Sequence, residues 1–276
     1  MNRLIGTLCV LVSFGANAQY YYKDVTISRQ TIATTAKYKT HKIRSVEVIS
    51  YENNGERTED FSGAQTISSD YTRITTSFNT PLSGQSELTA FYDNQGRLTK
   101  NIDTADGSYS ESQYYYNSNG TLQKISNVSV SAGQKSEKED HLWFYNSNGQ
   151  PEKMLRIKND VDTTYVTFVL DENGNVAEEN SRRRNASMPA YFYYYDDKNR
   201  ITDVVIYNDK AKRLLPLYVF EYTNNDLIKK MIVIPEGTDE YQTWVYEYNA
   251  SGLKTKETAF DKRKRVLGRI EYQYRQ

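Results

Sequence analysis

One recurring phrase limits what this chain can fold into. An aromatic-rich segment ends in tyrosine and is followed by three polar residues, a glycine and an apolar residue. The copies begin at Tyr92, Tyr116, Tyr145, Leu170, Tyr195, Tyr222 and Tyr248, with an earlier copy at Tyr51 and a last tyrosine of the series at Tyr274. From Tyr92 to Tyr274 the intervals are 24 to 29 residues. A period near 26 residues predicts a repeated structural unit.

The polar residues of each copy have the composition of a tight turn. Asp or Asn in the first position can accept hydrogen bonds from the following backbone, and glycine adopts the left-handed conformation without steric cost. Where glycine is missing, Asn199 takes its place, and Asn tolerates that conformation best among residues with a Cβ. Each period then holds two strands of about eight residues.

These features predict an all-β fold. The expected architecture is an antiparallel meander of hairpin repeats, with about sixteen strands, that forms an elongated twisted or curled sheet. Helical periodicity is not evident at any point, so we predict no helix.

The N-terminus has the pattern of a secretory signal peptide. Arg3 precedes an apolar run of about eleven residues, too short to span a bilayer, and Ala16 and Ala18 occupy the positions before the expected cleavage site. We therefore expect residues 1–18 to be removed and the protein to be exported to the periplasm, the cell surface or the medium.

The mature chain is predicted to have two parts. Residues 19–90 form an N-terminal β segment with degenerate repeats, and residues 91–276 form the hairpin array. No segment after the signal peptide is long and apolar enough to be a transmembrane helix. Charges at consecutive positions, as at Lys229 and Lys230, argue against a transmembrane β-barrel, whose strands keep their lipid-facing side free of charge.

Composition excludes several classes of function. Lys and Arg together number 35, equal to Asp plus Glu, whereas nucleic-acid-binding proteins usually carry a basic excess. We expect no nucleic-acid partner. The only cysteine, Cys9, lies in the signal peptide, so disulfides, cysteine nucleophiles and cysteine-bound zinc are not expected in the mature chain.

Alternation along the strands assigns their two faces. Residues two and four positions before each repeat tyrosine are mostly apolar or aromatic and should be buried. On the opposite face the last repeats carry Glu221 and Glu247, which predicts a solvated surface. The middle repeats instead carry aromatic residues there, including Tyr115, Phe144, Phe192 and Tyr194. Either residues 19–90 cover them as a second layer or they are exposed; the covered core is favoured, because large exposed apolar patches are uncommon.

Two copies of the phrase resemble a known repeat. YDNQGRLTK, from Tyr92 to Lys100, and YDDKNRITDV, from Tyr195 to Val204, resemble the tyrosine-aspartate repeat of the Rhs family, over roughly residues 85–276. The resemblance implies a spiralling β-sheet shell that encloses a toxin or mediates surface contact. The chain also resembles small, secreted, tyrosine-rich repeat proteins of bacterial envelopes, a resemblance that implies no particular activity.

Residues that could support catalysis are sparse. His41 and His141 are the only histidines, and neither has a metal-ligand spacing. We predict no catalytic residues, no cofactor and no metal, and a hydrogen-bonded structural role for His141.

Clusters of charge are expected to be solvated. The acidic pairs at 178–179 and 196–197 could in principle serve acid/base hydrolysis, but adjacent residues of a strand point in opposite directions and cannot face one substrate together. They are expected to be solvated turn charges. The basic run at 182–184 should be solvated too. An anionic partner, such as an acidic glycan or lipopolysaccharide, is the alternative for this run.

The sequence thus favours a secreted, noncatalytic β-repeat protein of the bacterial envelope that acts as a binding, adhesion or scaffold module for glycan or protein. Its candidate ligand-binding residues are Tyr115, Phe144, Phe192 and Tyr194, because aromatic rings stack on sugars and extended peptides. The alternatives are a carboxylate-based hydrolase and a fragment-like relative of a polymorphic toxin shell.

Overall fold

A computed structural model describes residues 20–80, 84–208, 212–236 and 238–276. The predicted signal peptide, residues 1–18, lies outside these residues. The described chain contains one helix and nineteen strands. The helix is α1 (Lys23–Thr40), and the strands are β1 (Ser45–Glu52), β2 (Ser62–Ile67), β3 (Arg73–Thr80), β4 (Gly84–Tyr92), β5 (Leu98–Ala105), β6 (Ser108–Tyr116), β7 (Leu122–Ser131), β8 (Glu137–Tyr145), β9 (Pro151–Lys158), β10 (Asp162–Leu170), β11 (Val176–Arg183), β12 (Ala186–Ser187), β13 (Tyr191–Tyr195), β14 (Ile201–Asn208), β15 (Arg213–Tyr222), β16 (Ile228–Val233), β17 (Gln242–Tyr248), β18 (Lys254–Phe260) and β19 (Val266–Arg275).

The sheet is an antiparallel meander that closes on itself. Strands adjacent in sequence pair with one another, and β1 pairs with both β2 and β19, in a register that places Val46 opposite Tyr274. The short strands β12 and β13 both pair with β11, so they occupy one strand position in the wall. The nineteen strands therefore form an 18-strand β-barrel.

The prediction of an elongated twisted or curled open sheet is therefore wrong, and so is the estimate of about sixteen strands. Local turn chemistry specifies which strands are neighbours along the chain. Closure depends on the pairing of β1 with β19, whose residues are more than 200 positions apart. Closure also removes the unpaired edges that an open sheet would expose. The division of the mature chain at residue 90 stays a prediction; β4 runs across that position.

The turns have the predicted construction. In the first full repeat, the Asp93 carboxylate accepts hydrogen bonds from the backbone N–H groups of Gln95 and Arg97, and Gly96 has φ +77°. Asn199, which replaces glycine in its repeat, has φ +58°. A register shift at each of the seven repeat anchors from Tyr92 to Tyr248, as between Phe91 and Tyr92, accommodates the turn as a β-bulge.

The repeat tyrosines have a second task that explains their regular recurrence. In six of the repeats, from Tyr116 onward, the phenolic hydroxyl donates a hydrogen bond to a backbone carbonyl at the start of the returning strand in the preceding repeat. These pairs are Tyr116 with Leu98, Tyr145 with Leu122, Tyr195 with Val176, Tyr222 with Ile201, Tyr248 with Ile228 and Tyr274 with Lys254, at 2.7 or 2.8 Å. Tyrosine thus links successive repeats, and phenylalanine could not.

We expect Tyr222→Phe to lower the free energy of unfolding by about 1 kcal/mol and the melting temperature by about 2–4 °C. The ring would still pack, but the carbonyl of Ile201 would lose its donor. Thermal denaturation followed by circular dichroism measures the change. Tyr194→Phe is the control, because the Tyr194 ring is exposed. Equal melting temperatures for the two variants would contradict the linking role.

Helix α1 corrects the prediction that the chain has no helix. Its sequence is polar and rich in threonine, and the hydroxyls of Thr31, Thr34 and Thr35 bond to the backbone carbonyls four residues earlier. Such a segment has low helix propensity, so tertiary contacts must stabilise it.

Helix α1 contacts several strands of the ring. Ser28 bonds the hydroxyl of Tyr116 on β6, and the hydroxyl of Tyr38 bonds Gln65 on β2. The N-terminal end packs on the main apolar cluster, which includes Trp143, Met154 and Val204. The helix therefore lies inside the barrel, where it fills the core. Among the described residues, no helix combines the length and apolar composition needed to cross a bilayer.

Candidate functional site: an outer aromatic surface and a basic notch

The four predicted ligand-binding residues all lie on the outward-facing side of the barrel wall. Tyr115, Phe144 and Tyr194 expose 44%, 38% and 48% of their surface, and Phe192 is partly buried. The expectation that residues 19–90 cover this face as a second core is wrong. The helix of that segment packs inside the barrel, and its strands complete the wall. Whether these rings bind a ligand stays a prediction.

Two of the four rings belong to one continuous surface. Strand pairing places Tyr115 of β6 opposite Lys124, Lys124 opposite Leu142, Leu142 opposite Leu155, and Leu155 opposite Tyr165 of β10. At the usual strand spacing the row spans about 19 Å. Phe144 follows Leu142 on the same face. We call the side chains of Tyr115, Leu142, Phe144, Leu155 and Tyr165 the outer aromatic surface.

The other two predicted rings lie apart from it. Phe192 and Tyr194 belong to β13, and β11 separates them from β10, with Glu178 opposite Phe192. Elsewhere the outer wall carries paired charges, as predicted for Glu221 and Glu247. The latter bonds Lys256 at 2.6 Å.

Polar side chains border the rings of the outer aromatic surface. The Tyr115 hydroxyl donates to the Gln113 side chain at 2.6 Å. The ammonium of Lys153 lies 4.8 Å from the centre of the Phe144 ring. Lys124 pairs with Asp140 at 3.1 Å. The surface therefore offers flat apolar faces beside hydrogen-bonding groups.

At the β10 end of this surface lies an open depression, which we call the basic notch. Its volume is about 410 Å³, within the range of small-ligand sites. The lining residues are Val161, Asp162, Thr163, Tyr165, Arg182, Arg184 and Asn185. Tyr165, 53% exposed, belongs to both the surface and the notch.

Two tight hairpin turns shape the notch. Asn159 and Asp160 have φ +52° and +60°, and Arg184 and Asn185 have φ +48° and +63°. Two consecutive positive φ values are typical of type I′ turns, which normally use Asn, Asp or Gly. Arginine is uncommon in this conformation, although Lys212 and Lys264 also adopt it in this chain. The turn places Arg184 beside the depression.

The three arginines of the run at 182–184 have different partners. Arg183 forms two hydrogen bonds with Asp162, which lower the pKa of that carboxyl. Arg184 is more distant from Asp162, at 3.7 Å, and its side chain is 80% exposed. Among the described residues, Arg182 forms no side-chain hydrogen bond or ion pair. Three guanidinium groups against one carboxylate leave the notch positively charged.

The barrel interior holds a separate polar cluster around His141, which is 1% exposed. Its Nδ1 lies 2.6 Å from Asp24 of α1, and its Nε2 lies 2.9 Å from Glu139, which in turn bonds Arg156. Burial alone would lower the pKa of His141, but the two carboxylates outweigh it and raise the pKa to about 9. The imidazole is thus buried and hydrogen-bonded, as predicted, and fastens α1 to β8.

Glu179 contradicts the prediction that the acidic pair at 178–179 is solvated. Its side chain is fully buried and accepts hydrogen bonds from the backbone N–H groups of Tyr21 and Tyr22 and from the Tyr193 hydroxyl. Burial raises the pKa of Glu179 to about 7 despite these donors. The carboxylate caps the start of α1, where the helix dipole also favours an anion. Both buried clusters are structural.

Tyr165 was not among the predicted binding residues. Its orientation is nevertheless visible in the alternation of its strand, because Val166 and Phe168 face inward and Tyr165 must then face outward. The four predicted rings lie one or three positions before a repeat anchor, whereas Tyr165 lies five before Leu170. The described residues include no group of three or more His, Cys, Asp or Glu side chains arranged to hold a metal ion.

No family model and no curated protein gives a significant match to this sequence. Solved structures that match it include a porin-like protein from Bacteroides uniformis, 9% identical, with a TM-score of 0.40, covering 84% of this chain and 98% of that one. A porin-like protein from Bacteroides vulgatus, 10% identical, covers the same shares with a TM-score of 0.27. The Tc holotoxin pore of Photorhabdus luminescens is 13% identical, with a TM-score of 0.34; the match covers 78% of this chain and 12% of that one.

Proposed function

We propose that this chain is an exported, noncatalytic binding protein of the bacterial envelope and that it binds glycan through the outer aromatic surface. The observation that carries the proposal is the continuous outward row from Tyr115 to Tyr165, which has an exposed tyrosine ring at each end and the Lys124 ammonium and two leucines between them. Pyranose rings present apolar C–H faces and hydroxyl rims, and aromatic residues beside polar groups complement both.

The geometry favours glycan over a peptide that would add a strand. In strand addition, an extended peptide pairs with a free sheet edge. Among the described strands, closure through β1 and β19 leaves no such edge. A ligand of the wall must therefore be recognised by side chains.

The hydrolase alternative is less well supported by the described site. Paired acid/base catalysis on a sugar needs two carboxyl groups facing one substrate. The basic notch is lined by one carboxylate, Asp162, which Arg183 already holds. On the outer aromatic surface, Asp140 is paired with Lys124. Inside the barrel, Asp24 and Glu139 are hydrogen-bonded to His141.

We expect the mature protein to bind an envelope polysaccharide, detected as a change in tyrosine and tryptophan fluorescence or by calorimetry. Tyr165→Ala and Tyr115→Ala should each weaken binding by about tenfold, because each removes one stacking ring. Tyr241→Ala, which removes an exposed ring outside the surface, should leave binding unchanged. Tyr194→Ala tests whether the separate rings on β13 also contribute to glycan binding. The proposal fails if a broad glycan panel gives no binding, or if all these variants bind equally.

A further inference from the structure

We propose that the basic notch selects a carboxylate-bearing sugar, a hexuronate unit of an acidic polysaccharide, with Tyr165 stacking on the sugar ring and Arg182 and Arg184 binding its carboxylate. This inference rests on the proposed glycan-binding function and names the ligand class of one part of that surface. Three features support it: the position of the arginines relative to Tyr165, the hydrogen-bonding capacity that the arginines have left, and the notch that all three residues line.

Tyr165 and Arg182 form a cross-strand pair. The two residues are directly opposite each other on β10 and β11, so their Cβ atoms are about 5 Å apart, and both face outward. The carboxylate of a hexuronate is attached directly to the pyranose ring. A ring stacked on Tyr165 would therefore place its carboxylate beside the Arg182 guanidinium.

The arginines differ in how much hydrogen-bonding capacity they have left for a ligand. Among the described residues, Arg182 has no side-chain partner, and the Arg184 contact with Asp162 is long, at 3.7 Å. Arg183 is occupied by Asp162. Arg182 is thus free to bind an anion and Arg184 is held only by a long contact, and the planar guanidinium fork matches the two oxygens of a carboxylate.

The notch brings the aromatic ring and both arginines to one place. Tyr165, Arg182 and Arg184 line the same depression of about 410 Å³, which is within the range of sites that hold a small ligand.

The test uses matched ligands that differ only in charge. We expect oligogalacturonate to bind the mature protein at least tenfold more tightly than its methyl-esterified form, in which the same sugar carries no carboxylate. Arg182→Gln should abolish this preference without changing the affinity for the ester. Arg263→Gln, which removes a basic residue from a distant turn, should leave the preference intact.

Arg184→Gly provides a second variant whose folding is not in doubt. It should raise or preserve the melting temperature, because glycine relieves the positive φ, and yet it should weaken binding of the acidic oligomer severalfold. Dextran sulfate and inorganic phosphate are run in parallel to distinguish other anions.

Different results overturn different statements. Equal affinity for acid and ester, a preference that survives Arg182→Gln, or binding of dextran sulfate or phosphate in place of the uronate would overturn the hexuronate assignment. The proposed function would stand in those cases if Tyr165→Ala still weakened binding of a glycan. Absence of binding to either form of the oligomer would overturn the assignment, while glycan binding in the broader panel would still preserve the proposed function.

Discussion

Replacement of Glu179 by alanine is expected to lower the free energy of unfolding by about 3–5 kcal/mol. Three donors would lose their acceptor at once: the backbone N–H groups of Tyr21 and Tyr22 and the hydroxyl of Tyr193. The site is fully buried, so water could replace the carboxylate only by entering the core. The first turn of α1 should loosen before the rest of the barrel, because the carboxylate caps it.

Urea denaturation measures the loss of stability, and hydrogen exchange at the amides of Tyr21, Tyr22 and Val25 measures the loosening of the helix. Glu178→Ala is the matched control, since Glu178 is adjacent in sequence but faces outward on β11. It should change stability by less than about 0.5 kcal/mol. Similar losses for both variants, or unchanged exchange in α1, would show that Glu179 does not hold the helix.

Raising the pH from 6.5 to 9 should destabilise the folded protein by on the order of 3 kcal/mol through His141. The pKa of His141 is raised from its ordinary value of 6.5 to about 9 in the folded state by Asp24 and Glu139, which outweigh the opposing effect of burial. The folded state therefore binds this proton more tightly than the unfolded chain does. The stabilisation is complete below pH 6.5 and is lost as the pH rises through 9.

Glu179 also makes the folded protein less stable as the pH rises, but over a lower range of pH. Burial raises its pKa from 4.5 to about 7, so its contribution to the free energy of unfolding declines between those two pH values. Glu139 is opposite in sign, because burial raises its pKa but His141 and Arg156 outweigh burial and lower the pKa to about 2. Its contribution is present above pH 4.5 and is lost as the pH falls toward 2.

The measurement is urea denaturation across the range from pH 6 to 9.5, for the wild type and for His141→Gln. The variant should be less stable at pH 6.5, because Asp24 and Glu139 lose a charged partner, and its stability should change much less with pH. An NMR titration of the imidazole in the wild type gives the pKa directly. A midpoint near 6.5, or equal pH dependence in the two proteins, would refute the assigned role.

These buried clusters and the outer aromatic surface are independent in space. The clusters fasten α1 to β8 and β11 inside the barrel, whereas the rings of Tyr115 and Tyr165 face outward from the wall. Variants of Tyr115, Tyr165 or Arg182 can therefore test ligand binding without loosening the interior helix.

Much of the wall could be predicted from the sequence. The period near 26 residues located the turns, and the polar tetrads determined their backbone, including the positive φ of Asn199. Alternation identified the inward face, where Trp143 and Tyr193 are buried, and the outward rings at Tyr115 and Phe144. These features depend on neighbours along the chain, whose geometry is set by local sterics and hydrogen bonds.

The candidate site was predicted only in part. Tyr115 and Phe144 join the outer aromatic surface, but Tyr165 was missed and the three residues at 182–184 were treated alike. Strand pairing sets Arg182 opposite Tyr165, while Asp162 occupies Arg183. The partner that each arginine finds cannot be deduced from a run of like residues.

Local sequence was enough to predict the strands, their turns and the two faces of the wall. It did not predict the closure of the wall through β1 and β19, the helix that the polar segment Lys23–Thr40 forms inside it, or the burial of Glu179. These features depend on groups that are distant along the chain, such as Tyr21 and Glu179, which are 158 residues apart. Neither the propensity of α1 nor the charge of Glu179 indicates burial until the closed barrel supplies the surrounding groups.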